Sequence, residues 1–396
     1  MSPSLRFPEF TGEWEKCKLG TLATKVGSGS TPKGGDAVYT SIGHYFVRSQ
    51  NVGMGFLMLD NIAHINDDIH QKHKATEIYE NDVLLNITGA SIGRTAVATK
   101  ELEGGNVNQH VCIIRTNSKV NPKFLCDYIQ TQRIQNHIKS LQTGGSREGL
   151  NFEQIRSFPI SLPSINEQNK LTCLLDKINE RIATQVRLID RLQPLIKGIN
   201  RTIFTGSGLE YSLCDVCEIR SGYSGNQLQG GKGLGVSRIE TISAHNINLE
   251  RIGYVAPFDA SENYRLQVGD ILFSNINSVE YIGNTAFIDK DYNLYHGMNL
   301  LRLIPFRNVV VPFYLYILLN TNRMLKHFKT ICNKAVSQAS INQKELGKTI
   351  VMLPSLEKQK QVCNIYQAMY SKLKTEKDVL SFYQEQKRYL LRHMFI

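Results

Sequence analysis

From Leu171 onward the apolar residues recur in alternating steps of four and three: Leu171, Leu175, Ile178, Ile182, Gln185, Ile189, Leu192, Ile196, Ile199, Ile203. That spacing draws one stripe along a helix and is the heptad seam of a coiled coil. About 191 residues further on, the same frame reads Val362, Tyr366, Met369, Leu373, Glu376, Leu380, Tyr383, Lys387, Leu390, Met394. The seam recurs in register, and so does its polar break, Gln185 against Glu376. A polar residue inside a seam either sets pairing register at a cost in stability or marks a solvated, frayed step. Pro194 predicts a kink or break near the end of the first helix. About 33 residues per helix at 1.5 Å each would span about 50 Å. Two such helices in one chain can bury their seams on each other. The order of the segments favours an antiparallel pair, with the two globular parts at opposite ends of a rod.

Ahead of each long helix the periodicity changes. Short β-like runs at 82–87, 111–115, 270–274 and 300–304 stand among Gly, Ser and Asn turns. One helix is predicted in each part, over 122–140 and 312–330, with proline in the first turn. The predicted layout is therefore 1–163 globular, 164–205 helix, 206–354 globular and 355–396 helix. The fold class is α+β: two globular α/β modules alternate with two long helices that pair as an antiparallel coiled coil.

The halves are copies. Gly93-Arg-Thr-Ala-Val is answered by Gly283-Asn-Thr-Ala-Phe, and Asn81-Asp-Val-Leu-Leu by Gly269-Asp-Ile-Leu-Phe. Thr131-Gln-Arg-Ile-Gln-Asn-His-Ile-Lys matches Thr321-Asn-Arg-Met-Leu-Lys-His-Phe-Lys, and Pro122 matches Pro312. Leu162-Pro-Ser-Ile-Asn-Glu-Gln matches Leu353-Pro-Ser-Leu-Glu-Lys-Gln. The ordered series, with slips of only one to three residues, marks a tandem repeat.

The net charge is +11 over 396 residues, which points to a polyanionic partner such as nucleic acid. Both halves carry it: residues 1–205 hold 24 Lys/Arg against 19 Asp/Glu, and residues 206–396 hold 22 against 16. The basic residues are dispersed, which disfavours a membrane surface. The chain opens without a secretory pattern, so a cytoplasmic location and reduced cysteines in cores are expected. Cys214 and Cys217 form a lone C-x-x-C without a second pair, so no metal site is expected; His70 and His73 read as a solvated turn. There is no phosphate loop, no dinucleotide fingerprint, no nucleophile elbow and no Asn/Asp-Pro-Pro-aromatic run for gripping an amino group. The chain carries no legible catalytic machinery.

With this layout the chain resembles the specificity subunits of type I restriction–modification systems. The resemblance lies in Leu5-Arg-Phe-Pro-Glu-Phe-Thr-Gly-Glu-Trp-Glu, Lys18-Leu-Gly-Thr-Leu, the Leu162–Gln168 boundary followed by heptads, and the closing Arg392-His-Met-Phe. It implies a non-catalytic protein whose two target-recognition domains each read one half of a split, asymmetric double-stranded DNA target. It implies helices that set the spacing and dock two methyltransferase subunits, with restriction subunits joining them. S-adenosylmethionine, ATP and Mg2+ would belong to those partners, and this chain would bind no cofactor.

Base reading needs polar side chains presented to groove edges, whereas phosphate contacts only position. In the first module the candidates are Ser28, Ser30, Thr31, Lys33, Arg48, Gln50, Ser146, Arg147 and Asn151. In the second they are Ser221, Tyr223, Asn226, Lys232, Arg238, Lys334, Ser337, Gln338 and Asn342. Arg133, Arg323, His137 and His327 recur between the halves and read as framework or phosphate contacts. The alternatives are a scaffold protein that binds no DNA, a fused modification enzyme with degenerate motifs, and a stand-alone DNA-binding regulator.

Overall fold

The stretch Val83–Asn86 is buried at every position because both of its faces are covered. It pairs antiparallel with Val111–Thr116 on one side and Thr95–Val97 on the other, and Ala23–Ser28 extends the sheet beyond Val111–Thr116. Side chains alternate between faces. Val83, Leu85, Cys112 and Ile114 enter a core shared with helices, while Leu84, Ala96, Val111 and Ile113 enter a second core with Val47, Val52 and Val107. A strand covered on both faces reads as an unbroken apolar run. The second half repeats the order Cys217–Ser221, Leu301–Pro305, Ile271–Phe273, Thr285–Phe287. Ile271, Phe273 and Leu303 face one core, and Leu272 and Ala286 the other.

The computed structural model describes residues 2–142, 149–203, 208–228, 231–243, 246–334 and 338–396, with the backbone alone at 36, 197 and 199–203. It divides into two compact units, Met1–Arg187 with Lys377–Ile396, and Leu188–Glu376.

Repeated sequence blocks acquire physical reasons in each unit. Asp82 accepts both forks of Arg115 at 2.8 Å and the Tyr79 N–H at 2.8 Å. Asp270 holds Arg302 at 2.6 Å and accepts the Gln267 N–H at 2.6 Å. Burial pushes the Asp270 carboxyl above its ordinary value, against the pull of the Gln267 N–H and Arg302. Gly93 and Gly283 stand at φ +85° and +83°, where a side chain is strained, which explains why glycine heads both Gly-x-Thr-Ala blocks.

Two expectations are corrected. Each expected single helix is a pair: Pro122–Gln130 then Gln132–Ser140, and Pro312–Leu319 then Asn322–Ile331. Thr131 and Thr321 stand extended between them, at ψ 145° and 150°, and cap the following helix through Ile134 and Met324. The first long helix also does not break at Pro194 and runs Ile165–Ile203. Pro194 is exposed, so water can satisfy the carbonyl that the ring leaves free. Outside the fold proper, His70 is no solvated turn: it is buried, stacked on His44 at 3.8 Å, with Nδ1 2.8 Å from Asn106 Oδ1. Cys173 and Cys214 are exposed and not in cores.

The second long helix is Leu356–His393. Along both helices the seam is inward: Leu171, Leu175, Ile178, Ile189 and Val362 are buried, and Ile182, Met369, Leu373 and Leu380 are half-buried. Gln185 and Glu376 are 8% and 7% exposed, so the polar break is not a solvated step.

The first turn of each long helix is tied to its unit by one glutamine. Gln168, 0% exposed, accepts the Asn121 N–H at 2.8 Å and donates to the carbonyls of Lys119 and Pro163 at 3.1 and 2.9 Å. Gln359, 1% exposed, accepts the Val311 N–H at 2.8 Å and donates to those of Val309 and Pro354 at 3.3 and 2.9 Å. Replacing Gln168 or Gln359 by Ala leaves a buried N–H and two carbonyls unpaired. Each variant is expected to lose about 2–4 kcal/mol in urea unfolding; an unmoved midpoint would show that water replaces the amide.

Candidate nucleic-acid interface

The four strands of the first sheet end together. Ser28 faces Cys112, Asn86 faces Val111, and Leu85 faces both Thr95 and Cys112. From this edge leave the 29–33 loop, the 87–94 segment and the Asn108–His110 turn. A bridge from Thr88 to Gly149 brings the approach to Asn151 to the same place. The second sheet repeats the arrangement, with Ser221, Leu301, Phe273 and Thr285 in line. Here Ile276–Asn277 pairs with Ala339–Ser340, which pairs with Asn333–Lys334. The candidate loops, far apart in sequence, thus share one sheet edge within each unit.

Glycine makes this convergence possible. A Cβ at Gly29 would lie 1.6 Å from the Val107 carbonyl oxygen, and one at Gly222 would lie 1.8 Å from that of Gly297. Only glycine lets the loop pass against the neighbouring turn. Gly29 donates its N–H to the Asn108 carbonyl at 3.1 Å, and Tyr223 donates to that of His296 at 2.9 Å.

On the first edge Ser30, Lys33 and Gln50 are exposed, and Ser28 and Arg48 are half-buried. Thr31 is exposed and donates its hydroxyl to Gln109 Oε1. Arg48 follows the strand His44–Val47, lies 5.4 Å from the Tyr39 ring centre and has its N–H capped by Asn51. Arg238 occupies the equivalent place after Leu234–Val236, with its N–H capped by Thr241, and is exposed. The two arginines are therefore framework-equivalent cations. Lys232 is exposed just ahead of the strand that Arg238 follows.

Asn151 and Asn342 are helix caps, each accepting an N–H at 2.8 Å, from Gln154 and Glu345. Tyr223 is stacked at 3.6 Å on Phe258, so one face of its ring is covered. Ser221 reaches Gln343 at 3.4 Å, while Asn226, Lys334 and Gln338 are exposed. Ser146, Arg147 and Ser337 lie outside the described residues. Arg133 and Arg323 are exposed in matching positions, whereas His137 packs edge-on against Phe158 at 5.8 Å and His327 is half-buried.

Three edge residues escape a reading of the sequence alone: Thr88, Gln109 and His110. They sit in the turns flanking the apolar runs, and a search of turns next to predicted strands would have reached them. Among the described residues no three His, Cys, Asp or Glu side chains gather to hold a metal ion, and no helix is long and apolar enough to cross a membrane.

The model of the family described as the type I restriction modification DNA specificity domain matches the chain twice, over residues 11–193 and 209–381. The chain belongs to this family. Its two specificity domains coincide with the two copies of the repeat. The putative type I restriction enzyme MjaX specificity subunit of Methanocaldococcus jannaschii is 38% identical over 187 residues, 46% of this chain and 44% of that protein. The type I restriction enzyme EcoBI specificity subunit of Escherichia coli is 24% identical over 135 residues, 33% and 28% of the two chains. The chain thus spans less than half the length of these curated relatives. The crystal structure of the type I restriction–modification S subunit from M. genitalium has a TM-score of 0.63 at 17% identity, covering 100% of this chain and 99% of that one. A structure reported for assembly and conformational transition of the type I R-M system has a TM-score of 0.61 at 18% identity, covering 97% of each. At such identities the likeness concerns the fold.

In the second specificity domain the edge contains a buried titratable group. His296 Nε2 donates to the Leu300 carbonyl at 3.0 Å, and burial pushes its pKa down to about 4 despite that bond. The unfolded chain takes up this proton near pH 6.5, but the folded unit resists until about pH 4. The stability His296 contributes is therefore complete above pH 6.5 and is lost as pH falls towards 4. Unfolding measured at pH 7 and 4.5 should show a loss of roughly 2–3 kcal/mol that His296→Gln removes; equal pH slopes in both proteins would refute this.

Proposed function

We infer that the chain is the DNA-specificity subunit of a type I restriction–modification assembly and is not itself an enzyme. The observation that carries this is the pair of DNA specificity domains, each with polar loops gathered at one sheet edge, in a chain whose halves are both basic. Each edge reads one half of a bipartite duplex target. The shared scaffold positions phosphates, and the differing loops discriminate bases. Because the loops differ between the domains, the target is asymmetric.

The long helices act as the ruler between the half-sites by pairing antiparallel. Within the first unit, Leu171, Leu175 and Ile178 share a core with Leu390, Leu391 and Met394, and Arg181 lies over the Tyr383 ring at 5.8 Å. The first helix advances from 171 to 181 as the second returns from 394 to 383, which is the order an antiparallel pair requires. The outer helix faces dock two methyltransferase subunits, through which restriction subunits join. S-adenosylmethionine, ATP and Mg2+ serve those partners. Such a subunit works in the cytoplasm.

Two measurements test this. Affinity of the assembled complex for target duplex should fall steeply with salt as counterions are released; a flat salt response would favour a scaffold role. Removing one matched heptad from both helices, Ile182–Leu188 with Lys377–Tyr383, shortens the rod by about 10 Å. At about 3.4 Å per base pair, the half-sites should approach by about three base pairs, or modification should cease. Retention of the original spacing would end the ruler reading.

A further inference from the structure

We propose that Gln109 is the adenine-reading side chain of the first specificity domain, held in reading orientation by Thr31, His110 and Thr88. The proposal rests on the DNA-specificity reading above and names a base and the residues that recognise it.

Gln109 is exposed at the tip of the Asn108–His110 turn, on the sheet edge where the 29–33 and 87–94 segments meet. Its Oε1 accepts the Thr31 hydroxyl proton, and its Nε2 lies 3.0 Å from His110 Nε2. His110 Nδ1 faces the Thr88 hydroxyl. An amide nitrogen only donates, so His110 Nε2 must accept. The neutral ring then carries its one proton on Nδ1 and donates it to Thr88 Oγ1. The string has one consistent direction, from Thr31 through Gln109 and His110 to Thr88. It removes the amide flip that a free glutamine would sample.

What remains unused decides the partner. Gln109 keeps its second N–H and a second lone pair on Oε1, donor beside acceptor on one exposed amide. Adenine presents N7 as acceptor and N6–H as donor in the major groove, the complement of that pair. Guanine presents two acceptors there, one of which would face Oε1 and repel it. Holding the amide beforehand also lowers the ordering cost of the contact.

The second domain supports the assignment by contrast. At the same place its turn reads His296-Gly297-Met298-Asn299, and the His296 ring is buried on Leu300 and not presented outward. In both domains the loop at the Ser-Gly pair donates a backbone N–H to this turn, Gly29 to the Asn108 carbonyl and, one residue further along, Tyr223 to that of His296, while the side chains differ. A position that discriminates bases in one half-site should differ in this way between domains.

The test uses the assembled methyltransferase complex with Gln109→Ala, Gln109→Glu and Thr88→Val, and maps methylated sites against those of the unaltered complex. Gln109→Ala should lose about tenfold to a hundredfold preference for adenine at one position of one half-site, leaving the other half-site and the spacing intact. Gln109→Glu, which offers only acceptors, should turn against adenine there. Thr88→Val should relax that same position alone, a pattern that a general structural defect would not give. For any variant that no longer methylates, fluorescence anisotropy on duplexes differing at that base replaces the mapping. Unchanged discrimination by Gln109→Ala at every position overturns the proposal. If the unaltered complex keeps a split motif and Gln109→Ala keeps all of it, only this inference fails; if the unaltered complex recognises no sequence, the specificity reading itself fails.

Discussion

A helical ruler can measure distance on DNA only if each helix is fixed to the domain whose position it sets. In both units one buried glutamine meets that requirement. Gln168 and Gln359 each bind three backbone groups from two directions: the loop before the proline-led helix and the end of the preceding strand. Because each amide is almost wholly buried, no water competes for its partners. Leaving any of those partners bare costs more than the bond gains, so the junction has one geometry. Ser164 and Ser355 cap the same first turns from outside. Without these junctions a seam of any length would be a tether and not a strut.

Much of this was visible in the amino-acid sequence, for reasons that can be named. Heptads were legible because a seam repeats one simple requirement many times. The duplication was legible because each copy must satisfy the same buried groups: Asp82 with Arg115, Asp270 with Arg302, and the paired glutamines. The sequence displayed the recurrence of Asp and Gln, but not what they bind, since the partners lie tens of residues away. The split at Thr131 and Thr321 escaped because a threonine in an otherwise helical stretch can be interior or cap, and only the backbone decides. The sequence pattern alone overstates the effect of Pro194 because it does not display that residue's exposure.

The candidate interface was legible as loops and less so as residues. The Ser-Gly turns at 28–29 and 221–222 lie on the sheet edge because their glycines pass against a neighbouring carbonyl. Polar residues chosen by type divided in the structure. Asn151 and Asn342 are engaged as caps and Tyr223 is stacked, while Ser30, Lys33, Lys232 and Gln338 remain exposed. A side chain's availability depends on neighbours brought in by the fold, which is also why residue type alone does not mark Gln109 and His110.

The central claim of the proposed function is that two unlike readers in one chain address a single split duplex site. It is tested most directly by sequencing the methylated adenines of DNA from cells that express this chain with its methyltransferase partners. The account predicts one bipartite motif: two different half-sites separated by a fixed number of unspecified base pairs. A contiguous motif, a palindrome, or half-sites at variable spacing would contradict it.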